Sequence, residues 1–227
     1  MIKALFFLTT LFHPEHQEFQ EYQEFPAFET IFESFLGESL IGSREWKQYL
    51  IEEDPYIEAE VVSERFSSLF KRYAKKRSQV VDYLFGYGGD ALLLSRLVGV
   101  DGKVLVFASE SEKLRGLFWN LVRAHVQNTK IYHSGEDLDA MDLEDVSMIR
   151  IDARGREDVL LDRAKKTIQR CKPVLLVNML GGLAVENGDR YIKKEFESRL
   201  EKIRKWGYTT QQVEGAWYLA LPENYLE

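Results

Sequence analysis

After Arg77 the chain settles into short apolar runs separated by longer stretches of helical spacing. Gln79–Phe85, Lys103–Phe107, Lys130–Tyr132, Val146–Ile151 and Pro173–Leu180 read as strands. Between and after them, Ala91–Val98, Ser111–Val126, Arg156–Arg170 and Tyr191–Lys205 read as helices. Parallel neighbours need a long crossover, so strands alternating with helices predict βαβ units and a parallel sheet in an α/β domain. The end of the chain departs from that alternation. Tyr208–Val213 and Ala216–Leu221 flank Glu214-Gly215 closely enough to predict an antiparallel hairpin.

The first third reads differently. Gln17-Glu18-Phe19, Gln20-Glu21-Tyr22 and Gln23-Glu24-Phe25 repeat a three-residue unit, and Phe28 and Ile31 continue the spacing. On a helix that step gives a slanted aromatic stripe, which Pro26 interrupts. The rings, Phe32 among them, predict packing on the α/β domain or on a partner chain, because a sizeable apolar patch is rarely left in water. Ser43–Glu53 and Pro55–Lys76 read as two more helices, with Ser43 as a cap and Pro55 in a first turn. The division expected is residues 1–77 as a mostly helical extension or lid and residues 78–227 as the α/β domain.

Composition narrows the function. With 45% apolar and 13% aromatic residues, the 227-residue chain can bury a substantial core. A formal charge of −7, with six glutamates and no Lys or Arg between Glu15 and Glu33, disfavours nucleic acid as a partner. The basic run Lys71, Arg72, Lys75, Lys76 and Arg77 reads as a solvated helix end. Cys171 is the only cysteine, which excludes an intrachain disulfide and a cysteine-based zinc site. The apolar run Ala4–Phe12 is too short to span a bilayer. It leads into His13, Pro14, Glu15 and His16 without a small-residue cleavage site, so a buried element in a cytoplasmic protein is expected. The four histidines, His13, His16, His125 and His133, form no metal motif, and no metal is expected. No serine nucleophile elbow or Walker-type phosphate loop is present.

In an open α/β sheet a ligand lies beyond the carboxyl ends of the strands, where the first strand turns into its helix. Val80-Val81-Asp82-Tyr83-Leu84-Phe85-Gly86-Tyr87-Gly88-Gly89-Asp90 occupies that place. Its glycines permit close backbone approach, and amides at the helix start can face an anionic group. A tight turn that binds nothing has the same glycines, and Asp90 fits the role of a helix cap.

Four ordered blocks between Val80 and Met179 carry a resemblance. Asp82, Gly88 and Leu92-Leu93-Leu94 come first, followed by Gly99, Gly102-Lys103-Val104 and Phe107. Next stand Leu117 and Asn120 as an "L-x-x-N" pair, then Ile149-Arg150-Ile151-Asp152-Ala153-Arg154-Gly155 before Asp158-Val159-Leu160. Lys172-Pro173-Val174-Leu175-Leu176-Val177 closes the series. Together they resemble the FkbM family of S-adenosylmethionine (SAM)-dependent methyltransferases, including its "IKIDVEG" and "KPVLLVE" blocks. The resemblance implies a Rossmann-like methyltransferase fold, in which a parallel sheet ends in an antiparallel hairpin. It also implies SAM as cofactor, held through Asp82, Gly86, Gly88 and Gly89.

Four positions depart from that pattern. Leu84 stands at the first glycine of the cofactor turn, where a side chain intrudes. Ala108 stands where the family has the carboxylate that grips the ribose, with Ser109 or Glu110 as substitutes. Arg154 and Asn178 each replace a glutamate. Two functions follow. One is O-methyl transfer to a hydroxyl of a small molecule or sugar, with Asp152 as candidate base and His133 as a second. The other is a methyltransferase fold without catalysis, serving as a binding or structural subunit. In that case the acidic, aromatic N-terminal segment offers a surface for a protein partner.

Overall fold

The computed structural model describes residues 34–37, 59, 61–83, 86–108, 111–153, 155–179 and 190–225. The apolar N-terminal run, the aromatic stripe from Phe19 to Phe32 and the helix expected at Ser43–Glu53 lie outside these residues.

Seven strands form one sheet: β1 (Gln79–Tyr83), β2 (Lys103–Ala108), β3 (Thr129–His133), β4 (Val146–Ile151), β5 (Val174–Asn178), β6 (Tyr208–Glu214) and β7 (Trp217–Pro222). Their order is β3-β2-β1-β4-β5-β7-β6, parallel from β3 through β5. The pairings β5–β7 and β6–β7 are antiparallel, so the hairpin expected around Gly215 is present. Among the described residues, six longer α-helices accompany the sheet: α1 (Glu64–Tyr73), α2 (Gly89–Val98), α3 (Ser111–Arg123), α4 (Glu157–Arg163), α5 (Lys165–Cys171) and α6 (Arg190–Lys205).

Alternation along the strands sends side chains to two cores. Val80, Val104, Val106, Met148 and Leu176 pack with Phe70 and Tyr73 of α1, Leu94 and Val98 of α2, and Leu117 and Phe118 of α3. On the other face, Val81, Leu105, Phe107, Ile149 and Val177 meet Leu160 and Leu161 of α4, Ile168 of α5, and Leu200 and Ile203 of α6. Ahead of α1, Phe35 and Leu36 join the first core, and Leu36 forms a parallel bridge to Ile131 on the edge strand β3.

Two helices differ from expectation. Instead of running from Pro55, α1 begins at Glu64: residues 61–63 are not helical, and the Ser63 hydroxyl accepts the Phe66 N–H at 3.3 Å as N-cap. The stretch expected as one helix over Arg156–Arg170 is two, broken at Ala164. The second piece has its own cap, because Asp139 accepts the N–H groups of Lys166 and Thr167, both at 2.8 Å. Among the described residues no helix is long and apolar enough to cross a membrane.

Tyr208 anchors the start of β6. It is buried, and its hydroxyl donates to the Pro173 carbonyl at 2.9 Å. Burial pushes its phenol above the ordinary value of 10.0. The folded state therefore favours the protonated form, and this contribution is complete below the unfolded pKa and lost as pH rises through the folded one. Tyr208→Phe is expected to cost about 1 kcal/mol at neutral pH, since the Pro173 carbonyl loses its donor. Denaturant midpoints measured upward from pH 9 should converge for the two proteins, and a constant gap would show that Tyr208 does not titrate with unfolding.

Candidate functional site

The strand order reverses direction at β1, which pairs in parallel with β2 on one side and with β4 on the other, so the crevice between the carboxyl ends of β1 and β4 is where an open α/β sheet receives a ligand. The turn after β1 is braced from α3. Gly88 has φ +105°, and a Cβ there would lie 2.7 Å from Leu117 Cδ1. A Cβ on Gly116 would lie 2.7 Å from the Tyr87 ring. Asn120 Nδ2 donates to the Tyr87 carbonyl at 2.8 Å, and Arg123 Nη1 donates to Asn120 Oδ1 at 2.7 Å. The Leu117/Asn120 pair singled out in the sequence thus shapes the glycine turn. Gly88 is the N-cap of α2, so the first amides of that helix open at the turn.

Below the turn lies a charged cluster. Asp82 on β1 and Arg150 on β4 stand opposite each other in register, and Arg150 Nη1 donates to Asp82 Oδ1 at 2.9 Å. The same guanidinium reaches Asp90 Oδ2 of α2 at 2.7 Å and Asp152 Oδ2 at 3.5 Å. Asp152 Oδ1 accepts from Asn178 Nδ2 at 2.9 Å, while the Asp152 N–H bonds the Tyr83 carbonyl at 3.0 Å. The Trp217 ring covers the guanidinium with its centroid 5.0 Å from Cζ, and Phe66 of α1 packs against Trp217 at 5.0 Å. Burial works against the Arg150 charge, but Asp82, Asp90 and Asp152 outweigh it and hold the group above its already high range.

The expected site residues fall into three sets. Asp82, Gly86, Gly88, Gly89 and Asp152 gather at the tips of β1 and β4. His133 does not join them. It ends β3, three strands from β4 and thus roughly 14 Å away at ordinary strand spacing. Its Nδ1 accepts the Gly135 N–H at 3.1 Å. Ser109, Glu110, Leu84 and Arg154 lie outside the described residues. Ala108 at the end of β2 is 2% exposed and belongs to the apolar core. Among the described residues no group of His, Cys, Asp and Glu side chains is placed to hold a metal.

Arg150 is the residue that sequence reasoning passed over. The signal was its position, a cation inside the otherwise uncharged strand Val146–Ile151, every residue of which is buried. Trp217 carries no signal in the sequence beyond its place in the hairpin.

No family model matches the chain, and no curated protein matches it. Solved structures do. The O-methyltransferase TomG from Streptomyces achromogenes, in complex with SAM, shares 20% identity over 88% of this chain and 97% of that one, with a TM-score of 0.54. The O-methyltransferase from Bacillus cereus, in complex with S-adenosylhomocysteine (SAH), shares 18% identity over 81% and 93%, again at 0.54. A putative rRNA methylase from Clostridium thermocellum shares 16% over 72% and 97%, at 0.51. The common element is the fold: a mostly parallel Rossmann-like sheet of the methyltransferase type, closed by an antiparallel hairpin.

Proposed function

We propose that this chain, which carries the methyltransferase fold, binds SAM at the tips of β1 and β4 and transfers its methyl group to a hydroxyl of a small molecule or sugar. The observation that carries this reading is the braced glycine turn standing over Asp82 at the switch point of the sheet. Block resemblance to FkbM methyltransferases and the O-methyltransferases among the structural neighbours support it.

The residues present fit the cofactor. Leu117 fills the space a side chain at Gly88 would need, and the positive φ there also favours glycine, so the turn keeps a bare backbone at this position. Gly86, Gly88 and Gly89 with the first amides of α2 would hold the carboxylate of the amino-acid end. Asp82 would act on its ammonium from beneath the turn, since its carboxylate is sealed and paired with Arg150. When bound, SAM supplies a methyl already activated on a sulfonium, so the protein's main task is alignment. Asp152 is the group that meets the acceptor: its side chain is 16% exposed, whereas that of Asp82 is fully sealed. Both Asp152 oxygens are engaged, yet a carboxylate has about four lone-pair sites and keeps capacity for a hydroxyl proton. His133 is too far away to share that proton.

A second reading, a methyltransferase fold that binds without catalysing, draws on Ala108. The end of β2 presents a buried methyl group where a ribose-binding carboxylate would stand. Calorimetric titration with SAM and SAH tests both: absence of binding to either defeats the enzyme reading. Ala108→Glu is expected to tighten SAH binding about tenfold, by one charge-assisted hydrogen bond. It is also expected to lower the melting temperature without ligand, because the new carboxylate then lies in apolar surroundings. A variant with the second effect and not the first would show that no ribose reaches β2.

A further inference from the structure

We propose that Arg150 is the positioning residue of this crevice: its guanidinium fixes the Asp82 carboxylate beneath the glycine turn and ties it to Asp152, so one side chain orients the cofactor end and the acceptor end together. This rests on the SAM reading above. Three observations carry it.

The first is where the pair stands. One row crosses the sheet through Ile131, Val106, Asp82, Arg150, Leu176 and Leu219, each in register with the next. Four of the six are aliphatic, and the two charged members are buried among them. Apolar residues of similar volume at both positions would spare the desolvation of two ions and often match or exceed the stability of a buried pair. Stability alone therefore gives little reason for an ion pair in this row.

The second is what the fork reaches. Nη1 is spent on Asp82 at 2.9 Å, while Nη2 serves Asp90 at 2.7 Å and faces Asp152 at 3.5 Å. Asp82 belongs to β1, Asp90 to the helix that starts at the turn, and Asp152 to the tip of β4. The three pieces that form the crevice floor thus meet on one planar group. A lysine carries the same charge without the planar fork and cannot bridge two strands and a helix in this way.

The third is how the group is held. Trp217 lies across the guanidinium face, and its own place is set by the β5–β7 pairing, where it stands opposite Asn178. Asn178 in turn bonds Asp152. The hairpin therefore fixes both the arginine and the carboxylate that the arginine orients.

The test is titration of the full chain with SAH, followed by heat and by tryptophan emission. If the wild type binds no SAH, the cofactor reading fails and this inference falls with it. If it binds, Arg150→Lys is expected to bind about 10- to 100-fold more weakly with its helical circular dichroism intact, as loss of oriented charge-assisted bonds requires. Folded Arg150→Lys that binds like wild type overturns the positioning role and leaves the cofactor reading standing. Asp152→Asn provides the independent arm, since it trims one arm of the fork at a partly exposed position and should fold. It is expected to weaken SAH binding about three- to tenfold, although Asp152 is assigned to the acceptor. Unchanged binding in that variant overturns the proposal, whether or not Arg150→Lys folds. Where both single variants fold, the double variant should lose no more than Arg150→Lys alone. Additive losses would mean that the two residues act separately.

Discussion

Arg150→Met is expected to lower the unfolding free energy by about 3–5 kcal/mol, the range for removing one partner from a buried ion pair. The methionine occupies the volume of the arginine stem and leaves its carboxylate partners behind. Side-chain exposures are 8% for Arg150, 0% for Asp82 and 10% for Asp90, so water cannot readily take over the lost contacts. Urea denaturation should show a lower midpoint with an unchanged slope, because the surface exposed on unfolding stays the same. Adding Asp82→Asn to Arg150→Met should recover part of the loss, since a neutral amide removes one uncompensated buried charge. A loss below about 1 kcal/mol for Arg150→Met would place the cluster in the class of exposed pairs and contradict its burial.

Much of the fold could be read from the residues because its signals are local. The run Val146–Ile151 matches β4 residue for residue, and the hairpin strands differ from expectation by a residue at their ends. Apolar runs of five or six residues, separated by helical spacing, leave few architectures other than a parallel sheet. Where the reading failed, the deciding group was distant. Nothing within Arg156–Arg170 announces a break at Ala164, because the cap of α5 comes from Asp139, 27 and 28 residues from the amides it satisfies. The start of α1 is ambiguous in the sequence for a local reason: Pro55 and Ser63 are both acceptable helix starts, and the described structure uses Ser63.

The site was legible in part. Asp82, Asp152 and the glycines lie at strand tips, and strand tips follow from the local apolar pattern. His133, the second candidate base, stands apart from that cluster, because distance across a sheet depends on strand order and β3 lies at the edge. Arg150 escaped for the opposite reason. Its immediate neighbours in sequence are apolar, and its partners come from β1, α2 and the tip of its own strand. A lone cation in a buried strand was the available warning, since an ion placed there needs compensating charge.

The N-terminal segment gives the other large expected effect. Leu36→Ala should cost about 2–5 kcal/mol and Phe35→Ala about 3–5, the ranges for truncating buried residues of these types. Leu36 is fully buried, and Phe35, 5% exposed, meets Phe118 edge to face with centroids 5.9 Å apart. The Gly37 N–H donates to the Ile131 carbonyl at 2.7 Å, and Gly37 lies so close to the Tyr132 ring that no side chain fits there. These contacts cover part of β3, an edge whose backbone groups would otherwise be free to pair with another chain. Deleting residues 1–40 removes all of them at once and bares Phe118, Ile131 and Tyr132. The expected product is aggregated protein rather than a trimmed, cooperative α/β domain. Urea midpoints for the two point variants and size-exclusion chromatography of the truncated chain measure this. Losses below about 1 kcal/mol in both point variants, together with a soluble monomer after deletion, would make Phe35 and Leu36 part of a removable cover instead of the core.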